Sequence, residues 1–201
     1  MKQKKRESIL EAAGKRFAKY GLTKTNIDEI ARFARVAKAT IYNYFGSKDN
    51  VYIEVLKREA NITIEKISHS VDLEVLPGKK LIIFAKTRFQ NMSLPLNIFT
   101  LVRSDTEKMI PEAVKIRDDL FEREVKIISS ILNEGVEKGV FYVNDVFLTA
   151  RAIGLALKGF ERQWLHGNKD NIDIHMEELI KILFLGLKYK KDQIKQEENS
   201  A

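Results

Sequence analysis

The eight residues KATIYNYF, from Lys38 to Phe45, carry side chains suited to contacts with a polyanion and with base edges. A lysine can donate to a guanine edge or a phosphate, and an asparagine can pair with an adenine edge or bind a phosphate. Small side chains such as those of Ala and Thr can touch a thymine methyl group, while tyrosine hydroxyls can donate to phosphates. The segment therefore predicts a DNA-contacting face made of Lys38, Ala39, Thr40, Tyr42, Asn43 and Tyr44.

Such side chains need a short helix that can lie in a groove, and the sequence around them predicts one. We expect one helix over residues 26–33, with Thr25 as its N-cap, and a second over 37–45. In a helix-turn-helix the second helix enters the major groove. Lys48 is expected at the start of a following helix, where its ammonium group and the free amides of the first turn form a binding site for a phosphate.

The inward face of the second helix is predicted from residue spacing. Ile41 and Phe45 are four residues apart and are expected to pack against Ile30 and Ala34. This packing leaves the polar side chains on the outside or the flanks of the helix. The alternative, that the tyrosines are themselves part of the core, remains open for each of them taken singly.

The positive charge lies at one end of the chain. Residues 1–50 contain 12 Lys and Arg against 5 Asp and Glu, and residues 51–201 contain 23 of each kind. A basic small domain beside a neutral larger one is typical of a protein whose one end meets polyphosphate.

The rest of the composition predicts an all-α protein. Pro and Gly are scarce, and apolar residues recur at three- and four-residue steps. We expect a three-helix DNA-binding domain over residues 1–47 and a larger helical domain over 48–201, with a helix over about 48–71 bridging the two. Further helices are predicted over residues 79–93, 96–108, 112–138, 145–166 and 173–191.

Other classes of protein find little support. The chain has no Cys, its three histidines are scattered, and it carries no HExxH, GxSxG or phosphate-loop motif. We therefore expect no metal site, no cofactor and no enzymatic activity. The N-terminus shows no signal peptide, and the longest uncharged stretch, 14 residues over 89–102, is too short for a bilayer. These features predict a cytoplasmic protein without a membrane partner.

Residues 25–48 resemble the DNA-binding signature of TetR-type (tetracycline-repressor-like) bacterial transcriptional regulators. The matching positions are Ile30, Ala31, Ala34, Val36, Lys38, Thr40, Tyr42, Tyr44, Phe45 and Lys48. The resemblance implies a homodimer, a recognition helix over residues 38–44, and phosphate contacts by Thr25 and Lys48. The chain departs from the family pattern at Ala37, often a capping Ser, and at Ala39, often Gly.

The resemblance also implies a dimer interface made by the last two helices. The helix over 145–166 carries an apolar stripe, and residues 179–187 are apolar over most of their circumference, which suggests a second buried surface. The alternative is that both helices belong to the core of one chain. The predicted interface residues are Ile153, Leu157, Phe160, Trp164, Leu179, Leu183 and Leu187.

A small-molecule effector is the other partner that the resemblance implies. Arg88 and Arg103 fall on apolar helix faces, so either could hold the acidic end of an otherwise apolar ligand such as an acyl or aromatic carboxylate. More often such an arginine is paired with an internal carboxylate, and Asp105, Glu107, Asp118 and Asp119 are available for this. The predicted ligand-binding residues are Arg88, Phe99, Arg103, Phe121 and Trp164.

These expectations combine into one function. We expect a dimeric repressor that binds a palindromic operator in double-stranded DNA and leaves it when the effector binds. The alternative is a DNA-bound scaffold of the same fold that recruits a protein partner without sensing a metabolite.

Overall fold

A computed structural model describes residues 2–92, 94–100, 110–165 and 172–188, and all regular structure among them is helical. The prediction of an all-α fold is therefore confirmed. The helices run in the order α1 Lys2–Lys24, α2 Ile27–Ala34, α3 Lys38–Phe45, α4 Lys48–Asp72, α5 Pro77–Met92, α6 Asn97–Thr100, α7 Pro111–Glu137, α8 Val146–Leu165 and α9 Ile172–Lys188.

Helix α1 is bent near its end. Gly21 has a φ of 75° and a ψ of 169°, a conformation that a residue without a Cβ adopts at little cost. The helix continues beyond this bend to Lys24. The buried face of α1 includes Leu10, Ala13 and Phe17, and the Phe17 ring meets Tyr52 of α4 edge-on at 5.0 Å between centroids.

The N-cap of α2 is Asn26, so the prediction of Thr25 was wrong by one residue. The Asn26 side-chain oxygen accepts from the backbone N–H of Asp28 at 3.0 Å. The Thr25 hydroxyl is already engaged because it donates to the Gly21 carbonyl at 2.7 Å, at the bend of α1. Asparagine is among the strongest N-cap residues, so the shift costs α2 no capping.

The turn from α2 to α3 depends on one residue in the left-handed region. Arg35 has φ 54° and ψ 47° and is the C-cap of α2, while the N–H of Val36 bonds the Ala31 carbonyl at 3.0 Å. Ala37 then opens α3 with no side-chain cap bond. The start of α3 therefore lacks the side-chain cap that a Ser at this position would supply.

Gly46 and Ser47 connect α3 to α4. Gly46 has a φ of 77°, and its N–H bonds the Tyr42 carbonyl at 2.8 Å. The Ser47 hydroxyl accepts from the N–H of Asn50 at 3.1 Å and thereby caps α4. The chain thus turns from α3 to α4 within two residues.

The chain divides into two compact units. The first contains Met1–Thr63 and Gln90–Leu120, and the second contains Ile64–Phe89 and Phe121–Ala201. Ile9, Ile30, Leu56 and Ile98 are among the fully buried side chains of the first unit. The second has its own core, which includes Ile67, Phe84, Ile128 and Phe141. The functional domain boundary between residues 47 and 48 stays a prediction.

Candidate DNA-binding face and C-terminal cleft

Helix α3 has one buried face and one open face. Ile41 and Phe45 are 1% and 7% exposed, and Ile30 and Ala34 of α2 are buried with them. This confirms the predicted inward face. Because α3 has only eight residues, this burial and not its own helix propensity must hold it in place.

The open face contains the residues predicted to contact DNA. Four of them are exposed, namely Lys38, Ala39, Tyr42 and Asn43, and Thr40 and Tyr44 are half-buried. The structure therefore places all six on one short helix with at least part of each side chain accessible. Their contacts with DNA stay a prediction.

An acidic neighbour of Lys38 was not expected from the sequence. The Lys38 ammonium group lies 3.0 Å from the Asp28 carboxylate at the start of α2. The hydrogen bond that Lys38 donates to Asp28, together with the negative charge of that carboxylate, raises the pKa of Lys38 above its ordinary value. The ammonium group of Lys38 stays charged. A DNA oxygen that accepts a hydrogen bond from it has to compete with the Asp28 carboxylate.

The structure brings Thr25 and Lys48 together. The Lys48 ammonium group donates to the carbonyls of Thr25 at 3.2 Å and Thr23 at 3.5 Å, which ties the start of α4 to the segment before α2. Thr25 is only 2% exposed and its hydroxyl points into the domain. Of the two side chains, the half-buried Lys48 is therefore the one that a phosphate can reach.

The N-terminal end of α1 lies beside the end of α3. The Tyr44 hydroxyl donates to the Lys2 carbonyl at 3.2 Å. The Arg6 guanidinium stacks 5.7 Å from the centroid of Phe45 and forms an ion pair with Glu54 of α4. Lys2 and Arg6 are therefore placed against α3, and Arg6 is a supporting residue that the charge count alone did not single out.

Arg88 is held by a carboxylate inside the second unit. Its Nε donates to Glu124 Oε1 at 2.9 Å, and Nη1 donates to the Leu157 carbonyl at 3.4 Å. Both side chains of the ion pair are 3% exposed. The internal-carboxylate alternative therefore describes Arg88, with Glu124 in place of the four acidic residues considered from the sequence.

The other predicted ligand-binding residues do not form one described site. Phe99 is buried in the first unit, and Phe121 is buried in the second, where Lys158 and Arg151 lie over its ring. Arg103 and the Trp164 side chain lie outside the described residues.

An apolar cleft opens within the second unit between α5, α8 and α9. Its wall contains aliphatic and aromatic side chains, namely Leu81, Phe84, Ala85, Ile153, Leu157, Ile180 and Leu183. The Leu157 carbonyl bonded by Arg88 belongs to a residue of this wall. The buried ion pair therefore adjoins a space suited to an apolar group.

The predicted dimer residues need a correction. Ile153, Leu157 and Leu187 are 5%, 2% and 6% exposed within the single chain, so they already belong to its own core. Leu179 and Leu183 are half-buried, and the Phe160 and Trp164 side chains lie outside the described residues. Of the predicted set, Ile153, Leu157 and Leu187 are therefore buried by the chain itself.

Another face of α8 and α9 carries large apolar side chains in solvent. These residues, which we call the exposed apolar face, are Phe147, Leu148, Leu155, Ile174, Ile182 and Leu185. Each is more than half exposed, and Leu185 is 69% exposed. Apolar surface of this extent on the last helices is typical of a site of protein association.

Two further findings concern only the part of the chain that the structure describes. No group of three or more His, Asp or Glu side chains there is arranged to hold a metal ion. None of the described helices combines the length and the hydropathy that a bilayer crossing requires.

Residues 9–55 match the family described as bacterial regulatory proteins, tetR family. The chain is 26% identical over 194 residues to the HTH-type transcriptional repressor BepR of Brucella suis, covering 91% of each chain. It is 25% identical over 141 residues to the fatty acid metabolism regulator protein of Bacillus subtilis, covering 69% of this chain and 73% of that one.

The fold is also that of a solved regulator. The transcriptional regulator FadR from Bacillus subtilis, determined in complex with stearoyl-CoA, superposes with a TM-score of 0.73 at 21% identity. The match covers 90% of this chain and 98% of FadR. The arrangement of helices described above is therefore shared over nearly the whole length.

Replacing the buried Arg88 should lower the free energy of unfolding by as much as the loss of a buried ion pair does. Arg88→Met is expected to lower the free energy of unfolding by about 3–5 kcal/mol, because the buried Glu124 carboxylate would lose its ion pair with Arg88. The double variant Arg88→Met with Glu124→Leu should recover most of this loss. Urea unfolding measures both, with the exposed Lys86→Met as the matched control. A loss no larger than that of the control would contradict the structural role.

Proposed function

We propose that this chain, whose residues 9–55 match the tetR family of bacterial regulatory proteins, is a dimeric repressor released from a palindromic operator by a small apolar effector. The relatives reported above are transcriptional regulators. The observation that carries the proposal is α3, a short helix held by Ile41 and Phe45 with its polar side chains outward.

Each side chain of the open face has a role in the proposed complex. Asn43 and Lys38 read base edges, and Ala39 lets the helix approach a thymine methyl group. Tyr42 donates its hydroxyl to a phosphate, and Lys48 supplies a cation at the start of α4. Asp28 aligns the Lys38 ammonium group before DNA arrives, since the two lie 3.0 Å apart.

Dimerisation gives the operator its symmetry. Two copies of α3 placed about 34–36 Å apart can enter successive major grooves, so the operator is an inverted repeat. We assign the interface to the exposed apolar face, because its six side chains are unburied in the single chain and lie on the last two helices. Pairing two copies of this face removes its six exposed apolar side chains from water.

The apolar cleft of the second unit is the proposed effector site. Its seven wall residues favour an acyl chain or a similar apolar body, and because the enclosed space is only about 20 Å³, the surrounding helices have to move apart to admit one. A fatty acid metabolism regulator among the relatives supports the same class of ligand. Because Arg88 is bound to Glu124, an acidic effector group must displace that carboxylate or find another donor. An effector releases DNA to the extent that it prefers the conformer unable to bind it.

Selection from a random duplex DNA pool at near-physiological salt tests the proposed function. Sequencing of the enriched pool is expected to return one inverted repeat with half-site centres about 10–10.5 bp apart. Titration of long-chain acyl compounds should then release the recovered duplex, as measured by fluorescence anisotropy. Enrichment of generic duplex would contradict sequence-specific binding. A specific duplex that no acyl compound releases would favour the scaffold alternative.

The dimer surface is tested by introducing charge on it. The double variant Leu155→Lys with Ile182→Lys is expected to weaken dimerisation by at least ~100-fold, because each buried unpaired charge costs several kcal/mol. Light scattering during size exclusion should show the wild type at twice 23.2 kDa and the variant at 23.2 kDa. Leu73→Lys, at an apolar position 74% exposed on another part of the chain, is the matched control. A variant that stays dimeric would place the interface elsewhere.

A further inference from the structure

A buried carboxylate joins three helices of the first unit. Glu59 of α4 is 5% exposed. Its Oε1 accepts from Asn97 Nδ2 at 2.8 Å, and its Oε2 accepts from the backbone N–H of Ile98 at 2.9 Å. Asn97 Nδ2 also donates to the Gly14 carbonyl of α1 at 3.1 Å. We call Glu59 and Asn97 the latch, because together they connect α4, α6 and α1.

Helix α1 lies close to the carboxylate. A Cβ placed on Gly14 would lie 3.6 Å from Glu59 Oε1 and 3.5 Å from a methyl carbon of Val55. Helix α1 also packs against α2 and so supports the helix-turn-helix. A change at the latch therefore acts on the helix that carries α2 and α3.

Within the described part of the chain the groups that donate to Glu59 are neutral, although charged groups lie nearby. Helix α1 contributes Glu11, Lys15 and Lys19 to the same groove, and α4 contributes Arg58, with Tyr52 also close to the carboxylate. Lys15 is bonded to Glu11 at 2.7 Å, and Arg58 is bonded to Glu7 at 2.9 Å. The residues of α6 that bind Glu59, Asn97 and Ile98, are uncharged. The ionised carboxylate is thus stabilised mainly by two neutral hydrogen bonds.

Burial raises the pKa of Glu59 to about 7, and the hydrogen bonds from Asn97 and Ile98 offset only part of that increase. The ordinary value for this group is 4.5. An arrangement in which Glu59 reaches water would return its pKa toward that value. Between about pH 4.5 and pH 7 the latched arrangement therefore holds a proton that an opened arrangement gives up, so rising pH favours opening in this range.

We propose that Glu59 and Asn97 are positioning residues for operator binding, and that ionisation of the Glu59 carboxylate loosens α6 from α1 and so lowers the affinity for the operator. The proposal rests on the DNA-binding function proposed above. The protonated acid can still accept both bonds, through its carbonyl oxygen and a lone pair of its hydroxyl, and it brings no charge into the core. The ionised form keeps its two donors but leaves a charge buried without a bonded cation.

The test is the pH dependence of operator affinity, measured by fluorescence anisotropy on the selected duplex between pH 6 and pH 8. Wild-type affinity is expected to fall by up to about tenfold over this range, mostly below pH 7 and levelling above it, because one proton is linked to the equilibrium. Glu59→Gln, a neutral residue of the same shape, should lose this component and bind more tightly than the wild type at pH 8. A residue that merely supported the fold would weaken binding at every pH when replaced.

Two further variants complete the comparison. Asn97→Ala should weaken operator binding several-fold even at pH 6, because it removes the connection to both Glu59 and Gly14. Glu65→Gln makes the same chemical change on an exposed position of α4 and should keep the wild-type pH profile. A wild-type profile identical to that of Glu59→Gln would overturn the proposal.

A readout without DNA separates failure of the latch from failure of the proposed function. Hydrogen exchange at the Ile98 amide, corrected for its intrinsic pH dependence, should show more opening at pH 8 than at pH 6 in the wild type. Glu59→Gln should show no such increase. Equal opening in the two proteins would overturn the latch whether or not any duplex is bound. If the selection returns no specific duplex but hydrogen exchange at Ile98 behaves as expected, only the proposed DNA-binding function would be overturned.

Discussion

The burial of Ile41 and Phe45 is the constraint on which the DNA-binding face depends. An isolated helix of eight residues is unstable in water, because too few hydrogen bonds follow its costly nucleation. Helix α3 therefore exists only where its apolar stripe meets α2 and the rest of the first unit. Once that stripe is buried, the remaining positions of the helix must point outward, and they carry the polar side chains.

Contacts at both ends of α3 support this arrangement. At the start, Arg35 adopts the left-handed conformation that closes α2, and Asp28 holds Lys38. At the end, Gly46 turns the chain toward α4, and the Arg6 guanidinium lies over the Phe45 ring. The Lys48 ammonium group then bonds backbone carbonyls before α2, so the start of α4 is tied back to the same motif. Side chains on a helix fixed at both ends lose little further freedom when they bind.

Residue spacing predicted this part of the molecule well because its contacts are local. Ile30, Ala34, Ile41 and Phe45 lie within sixteen residues, so helical periodicity was enough to identify their common face. The N-cap of α2 was displaced by one residue because Thr25 and Asn26 both have capping side chains, and the bend at Gly21 decides which one is free. Local patterns do not contain that tertiary contact.

Longer-range partners could not be read from the sequence. Arg88 was correctly expected to point inward, but its partner Glu124 is 36 positions away on another helix. Likewise, the stripe through Ile153 and Leu157 predicted burial without indicating whether the same chain or a second copy provides it. Glu59 gave no signal at all, because a glutamate within a charged helix usually faces solvent. Each of these outcomes depends on how distant helices meet.

The open face of α3 is proposed to read bases, and replacement of Asn43 tests this assignment most directly. Wild type and Asn43→Ala would be titrated against the operator and against duplexes with each base pair replaced in turn. The account predicts a loss of about 1–3 kcal/mol for Asn43→Ala, with discrimination relaxed at one base pair of each half-site. A loss that is equal at every position, or no loss, would show that Asn43 reads no base and would contradict the assignment of this face.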